Sequence, residues 1–112
     1  NNMIDNNTGS GGSFDTVNKY LELNLGSVCY IKRIRHYGDT TSDPGNRYRL
    51  QAYVAGVWED CLTEIVDLDA TAWSSWLNLT TPRTAIRWRW EITTKVAMGY
   101  IRELELDGVA IG

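Results

Sequence analysis

The sequence predicts an all-β protein, an antiparallel jelly-roll β-sandwich, and three observations carry that prediction. Short runs alternate apolar and polar residues at period two in Tyr20–Leu25, Tyr48–Val54 and Thr84–Thr94, the pattern of strands with one buried face. The chain holds five Trp, six Tyr and one Phe, a supply of aromatic bulk that suits sheets. Two Pro and ten Gly punctuate the runs, as turns between strands require. With 112 residues the chain, 1–112, is one domain, large enough for a two-layer core and too small for a second.

In chain order, Asn1–Ser13 is polar, rich in Gly and without hydrophobic period, and reads as a loop. Phe14–Lys19 leads into the first strand. Tyr20–Gly38 is the centre of the prediction and reads as two strands joined by a tight turn at Gly26-Ser27. Leu21, Leu23 and Leu25 share one face of the first strand, with Glu22 and Asn24 on the other. In the second, Ile34 and His36 share one face, and Arg33, Arg35 and Tyr37 the other. Ile31 is out of phase with Ile34, so a bulge near Lys32–Arg33 is expected to let both face inward.

Gly38–Asn46 is a long loop ending in a Pro-Gly turn. Tyr48, Leu50, Ala52 and Val54 then point inward, and Ala55-Gly56 turns the chain into Trp58, read as a packing residue. Thr63–Leu68 is a short strand, and Asp69–Ala72 a turn into Trp73-Ser74-Ser75-Trp76. Trp76, Leu77 and Leu79 cannot share one face, so one points outward or the strand is irregular. In Thr84–Thr94, Ile86, Trp88, Trp90 and Ile92 are assigned to the core, and Arg87, Arg89 and Glu91 to a solvated face with cross-strand ion pairs. Lys95–Gly99 is a loop, and Tyr100–Leu106 closes the sheet.

Composition excludes several functions. A formal net charge of −3 gives no electrostatic reason to expect nucleic acid as a partner, and Arg87 and Arg89 beside Trp88 and Trp90 make only one short basic strand. No run approaches a membrane span. His36 is the single histidine, and no nucleophile or metal-ligand spacing assembles around it. Asp39 with Asp43, and Asp67 with Asp69, are carboxylate pairs that nothing singles out for acid–base work. The expectation is therefore not an enzyme. The start at Asn1 without Met or signal peptide suggests a module excised from a longer protein.

Candidate binding residues lie in the long loop and at the following tryptophan. Asp39, Thr40, Asn46 and Arg47 offer the amide, guanidinium and hydroxyl groups that suit vicinal hydroxyls, or form only a solvated loop. Trp73, beside a turn, is the ring most open to stack on the C–H face of a pyranose, or else caps the core. Cys29 and Cys61 either bridge or are two buried thiols acting as small apolar residues.

Several segments taken together resemble the discoidin, or coagulation-factor C, domains and their relatives the family-32 carbohydrate-binding modules, which share a galactose-binding-like β-sandwich. They are Tyr20–Gly26 with the isoleucine strand to Tyr37-Gly38, Asn46–Leu50 with Gly56-Val57-Trp58, Thr84–Trp90, and Ile101–Gly108. The resemblance implies a non-catalytic binding module, for glycans first, with a structural or protein-interaction domain as the alternative. It implies a secreted, cell-surface or virion setting beside other domains of a parent protein, with multivalent or oligomeric display. It also implies a structural calcium site, because Met3–Ser10 resembles the family's calcium loop: Asp5 supplies a carboxylate, Asn7 a backbone carbonyl, Ser10 a hydroxyl and Glu103 a second carboxylate. The family's loop arginine is matched only by Arg47 beside Asn46. Its sugar-stacking loop aromatic is replaced by Val96, Ala97 and Met98, a small apolar tip that is thin support for a membrane partner. Neither cysteine sits at the domain ends where many discoidin domains place their bridge, which favours free thiols.

Overall fold

Two long strands frame the structure, a computed structural model that describes residues 2–5 and 12–111. They are β3 (Tyr20–Tyr37) and β6 (Leu77–Thr94). The others are β1 (Asn2–Asp5), β2 (Gly12–Phe14), β4 (Arg47–Val54), β5 (Val57–Val66), β7 (Gly99–Ile101) and β8 (Glu103–Ala110). All pairings are antiparallel, in a six-stranded sheet ordered β1-β8-β3-β6-β4-β5 and a two-stranded sheet of β2 and β7. The first part of β3, Tyr20–Asn24, pairs with the last part of β6, which also pairs with β4. The second part, Cys29–Tyr37, pairs with β8. The long strands thus belong to both layers of the sandwich, and residues of β3, β4, β5, β6 and β8 meet in one core.

The core follows the period-two reading in most places. Leu23, Tyr48, Leu50, Ala52, Trp88, Trp90 and Ile92 are buried. An aromatic chain runs through it, from Phe14 to Tyr48 (5.2 Å), Tyr48 to Trp90 (5.0 Å) and Trp90 to His36 (5.1 Å). Burying a tryptophan removes roughly 200 Å² from water, about 5 kcal/mol as an upper estimate, so Trp88 and Trp90 dominate the apolar contribution. Cys29 and Cys61 are buried and unpaired. Burial raises the Cys61 thiol to about 11, so it behaves as a small apolar residue.

Bulges decide where the strands bend. Ile31 and Ile34 are both fully buried, because the register shifts between Ile31 and Arg33 against β8 and β6 alike. Gly26-Ser27, expected to reverse the chain, does not. The pairs Asn24↔Arg87 and Cys29↔Ala85 flank a bulge, and β3 continues through it along the same partner. Gly26 takes φ 79° there, and its N–H donates to Asn24 Oδ1 at 2.9 Å; glycine makes this conformation cheap. The same bulge moves β6 out of phase. Ala85 is buried, whereas Ile86, assigned to the core, is 40% exposed. Gly108 has no room for a Cβ, which would collide with the Tyr30 carbonyl. Leu79 is buried, and Trp76 stacks on the outer face.

Candidate functional site

Three loops converge where β3 ends: Gly38–Asn46, the segment from Asp67 to Trp76, and residues 95–102. Gly38 N–H donates to Ala72 O (3.0 Å) and Ser74 N–H to His36 O (2.8 Å), while Tyr37 bridges to Trp73. Beneath the surface a polar network fastens them. Asp67 Oδ2 accepts from Ser42 Oγ, from Asn46 Nδ2 (3.1 Å) and from the Tyr48 hydroxyl (3.0 Å). Asn46 Oδ1 accepts from Val96 N–H (2.7 Å) and Ala97 N–H (3.1 Å), and Ser42 Oγ from Tyr100 N–H (2.9 Å). Ser42, Asn46 and Asp67 are all buried. Burial raises the Asp67 carboxyl above its ordinary value, against the hydrogen bonds from Ser42, Asn46, Tyr48 and the Leu68 backbone that lower it. Burial, and then the Asp67 charge, push the Tyr48 hydroxyl far up. The bonds that Ser42, Asn46 and Tyr48 share on Asp67 Oδ2 hold these loops in one geometry.

The surface above this network combines flat rings with paired charges. Trp73 meets Tyr37 edge to face at 5.3 Å and 90°. The Arg35 guanidinium lies 4.5 Å over Trp73 and 4.6 Å over Trp76, and Arg33 lies 4.7 Å over Trp76. Glu105 pairs with Arg35 and Asp107 with Arg33, so this row of cations on β3 is neutralised from β8. Beside it, the Asp39 carboxylate accepts from the Thr41 hydroxyl (2.7 Å) and N–H (2.9 Å) and from Arg102 Nε (3.0 Å). The Thr41 hydrogen bonds, with Arg102, hold its carboxyl below the ordinary value. The Arg102 side chain is 57% exposed, and its N–H anchors to Tyr37 O at 2.9 Å. The result is an aromatic wall next to an acceptor–donor pair.

The sequence-derived residues divide between this surface and its support. Trp73 is half-buried in the wall, Asp39 lies beside it and Thr40 is exposed on the adjoining loop. Asn46 is fully buried and its carboxamide serves the loop network. Arg47 folds back on its own turn, donating to Pro44 O (2.7 Å) and Asn46 O (2.9 Å). Sequence reading missed Arg102, Tyr37, Arg35 and Trp76 as members of the surface. Period two already placed Arg35 and Tyr37 on an outer face, but Arg102 joins Asp39 across a sequence gap that no local pattern reveals.

Of the calcium residues, Asn7 and Ser10 lie outside the described residues. The backbone of Asp5 ends β1 opposite Glu105, and Glu103 opens β8 two residues away, half-buried. Among the described residues no three His, Cys, Asp or Glu side chains cluster for a metal ion.

A second aromatic and guanidinium row covers the opposite layer. Arg87 lies 4.6 Å over Tyr53, and Arg89 lies 4.5 Å over Trp58 and 5.1 Å over Tyr20. The face expected to be a plain solvated row also buries Glu91, held by Arg49 Nε at 2.6 Å. Trp58 packs on the sheet's outer side against Tyr53 at 5.0 Å. No helix among the described residues is long and apolar enough to cross a membrane.

No protein-family model matches the sequence, and no curated protein matches it. Solved structures do match in fold. The C-terminal domain of a chitobiase from Bacteroides fragilis superposes with a TM-score of 0.69 at 16% identity, over 88% of this chain and 68% of that one. The CBM32 of AlyQ, in complex with 4,5-unsaturated mannuronic acid, gives 0.68 at 14% identity, over 93% and 81%. The family-32 carbohydrate-binding module of Clostridium perfringens NanJ, in complex with galactose, gives 0.63 at 13% identity, over 93% and 98%. The chain has the galactose-binding-like β-sandwich fold of these modules.

Proposed function

We propose that this chain, built on the fold of family-32 carbohydrate-binding modules, is a non-catalytic glycan-binding module whose site is the loop-end surface around Trp73. The observation that supports it most is the juxtaposition of the Trp73 and Tyr37 rings with the Asp39–Arg102 pair on a rigid loop cluster. A pyranose laid against Trp73 buries its C–H face. Asp39 accepts from one hydroxyl while Arg102 donates to its neighbour, and Thr40 lies within the same loop. Asn46 and Arg47 contribute by fixing that loop. Two of the matching modules are complexes with sugars, galactose and an unsaturated mannuronic acid, which favours the same ligand class here.

A shallow site of this kind binds weakly and gains strength from repetition, so display on a secreted, cell-surface or virion protein with other domains belongs to the proposal. So does a structural calcium ion held by Asp5, Asn7, Ser10 and Glu103. The test is a glycan array probed with the multivalently displayed domain, in calcium and in chelator. Binding to a defined sugar set that disappears in Trp73→Ala and in Arg102→Ala supports the site, and loss on chelation supports the metal. Absence of binding under multivalent display moves the assignment to a structural or protein-interaction domain. That reading draws on the internal engagement of Asn46 and Arg47.

A further inference from the structure

We infer that a second ligand site, separate from the loop-end surface, lies in the cleft between β5 and the segment Ser74–Leu77. The cleft holds about 370 Å³, and its lining includes His36, Leu62, Ile65, Asp67, Ser75 and Leu77. That volume falls within the roughly 300–1,000 Å³ of small-molecule sites. Its walls are largely apolar, yet two deeply buried polar groups line it without partners. His36 is 1% exposed, and neither ring nitrogen has a hydrogen-bond partner among the described residues; the same holds for Asp67 Oδ1. The three side-chain donors on Asp67 all go to Oδ2. Buried polar atoms left in this state are costly, and unlike the equally unpartnered Trp88 Nε1 and Trp90 Nε1, those of His36 and Asp67 belong to residues that line this cleft.

The strand beside the cleft is shaped to open it. The pairs Tyr48↔Ile65 and Leu50↔Leu62 put an extra residue on β5, and Glu64 takes φ 58° at that point. A non-glycine residue in the left-handed region and a bulge at an edge are features that accompany sites. The polar groups define the ligand. A neutral imidazole presents one donor and one acceptor, and Asp67 Oδ1 presents an acceptor. The complement is a compact molecule with two donors and one acceptor, a chemistry that a primary carboxamide and a vicinal diol share. It carries no negative charge, because Glu64 and Asp67 line the same cleft and its other walls are largely apolar.

The single histidine makes the test direct, since its two ring nitrogens are the only imidazole signals in a ¹⁵N NMR spectrum of the chain. The probes are acetamide, 1,2-propanediol and acetate. The expected result is a saturable shift of the His36 nitrogens by acetamide, by 1,2-propanediol or by both, with half-saturation in the millimolar range and no saturable shift from acetate. Which neutral probe acts identifies the carboxamide or the diol. The shift is expected to disappear in Thr63→Trp, or in Val66→Trp if the first variant does not fold, because an indole at either exposed position closes the mouth. It is expected to survive Trp73→Ala, so the outcome is independent of glycan binding at the loops. Only linear drifts, equal shifts in the mouth variants, or an acetate shift matching that of acetamide would overturn the inference.

Discussion

The lone histidine makes the folded protein sensitive to acid by an amount that can be calculated. His36 is 1% exposed and packs at a tilt against Trp90, and burial lowers its pKa from 6.5 to about 4. The unfolded chain therefore binds a proton near pH 6.5 that the folded chain refuses until about pH 4. Stability is unaffected by this group above the upper value and falls as the pH drops between the two. At about 1.36 kcal/mol per pH unit of differential protonation, the loss reaches roughly 2.5 kcal/mol by pH 4.5 and about 3 kcal/mol below pH 4. Asp67 acts in the opposite sense, because its raised carboxyl pKa favours the folded state as it takes up a proton. That contribution is common to wild type and a His36 variant, so their difference isolates the imidazole. The assay is urea denaturation of wild type and His36→Phe at pH 7 and pH 4.5. Phenylalanine keeps the contact with Trp90 and removes the titrating group. The variant is expected to gain about 2.5 kcal/mol on wild type between the two pH values. Parallel pH profiles would refute the argument, since they would mean that His36 protonates as readily in the folded state as in the unfolded one.

The other predictions concern the loop network, the strand contacts and the thiols. Asp67→Ala leaves Ser42, Asn46 and Tyr48 without their shared acceptor and should cost about 3 kcal/mol or more, whereas Tyr48→Phe should cost about 1 kcal/mol, both read by urea denaturation. Gly108→Ala drives a methyl into the Tyr30 carbonyl, so thermal unfolding should fall by several degrees, with Val109→Ala on the same strand as the milder control. Cys29 and Cys61 should react with a thiol reagent only as fast as the chain unfolds, because both are buried and burial raises the Cys61 pKa.

Much of the fold was legible because a half-buried strand writes its burial into alternate residues. Leu23, Tyr48, Leu50, Trp88 and Trp90 needed no partner to be assigned inward. The bulge near Lys32 was legible too, since Ile31 and Ile34 could not both face the core without it. The bulge at Gly26 was not, because a glycine-serine step suits a reversal and a bulge equally and only the partner strand decides. Ile86 followed that error, its face being set by the register that the bulge shifts. The candidate site was legible where it rests on local exposure, as at Trp73 and Asp39. It was hidden where it rests on long-range pairing, as with Arg102, and nothing in the sequence signalled that Asn46 is buried.

The central proposal, that sugar is bound at Trp73, is tested most directly by protection of tryptophan fluorescence from acrylamide by a glycan that scores on the array. The measurement compares wild type with Trp73→Phe and Trp58→Phe. Trp58 lies on the other layer, among Tyr53, Arg87 and Arg89. Protection by the glycan in wild type and Trp58→Phe, with loss in Trp73→Phe, is the predicted result. Protection that survives in Trp73→Phe and vanishes in Trp58→Phe would contradict the account and move the site to the opposite face of the sandwich.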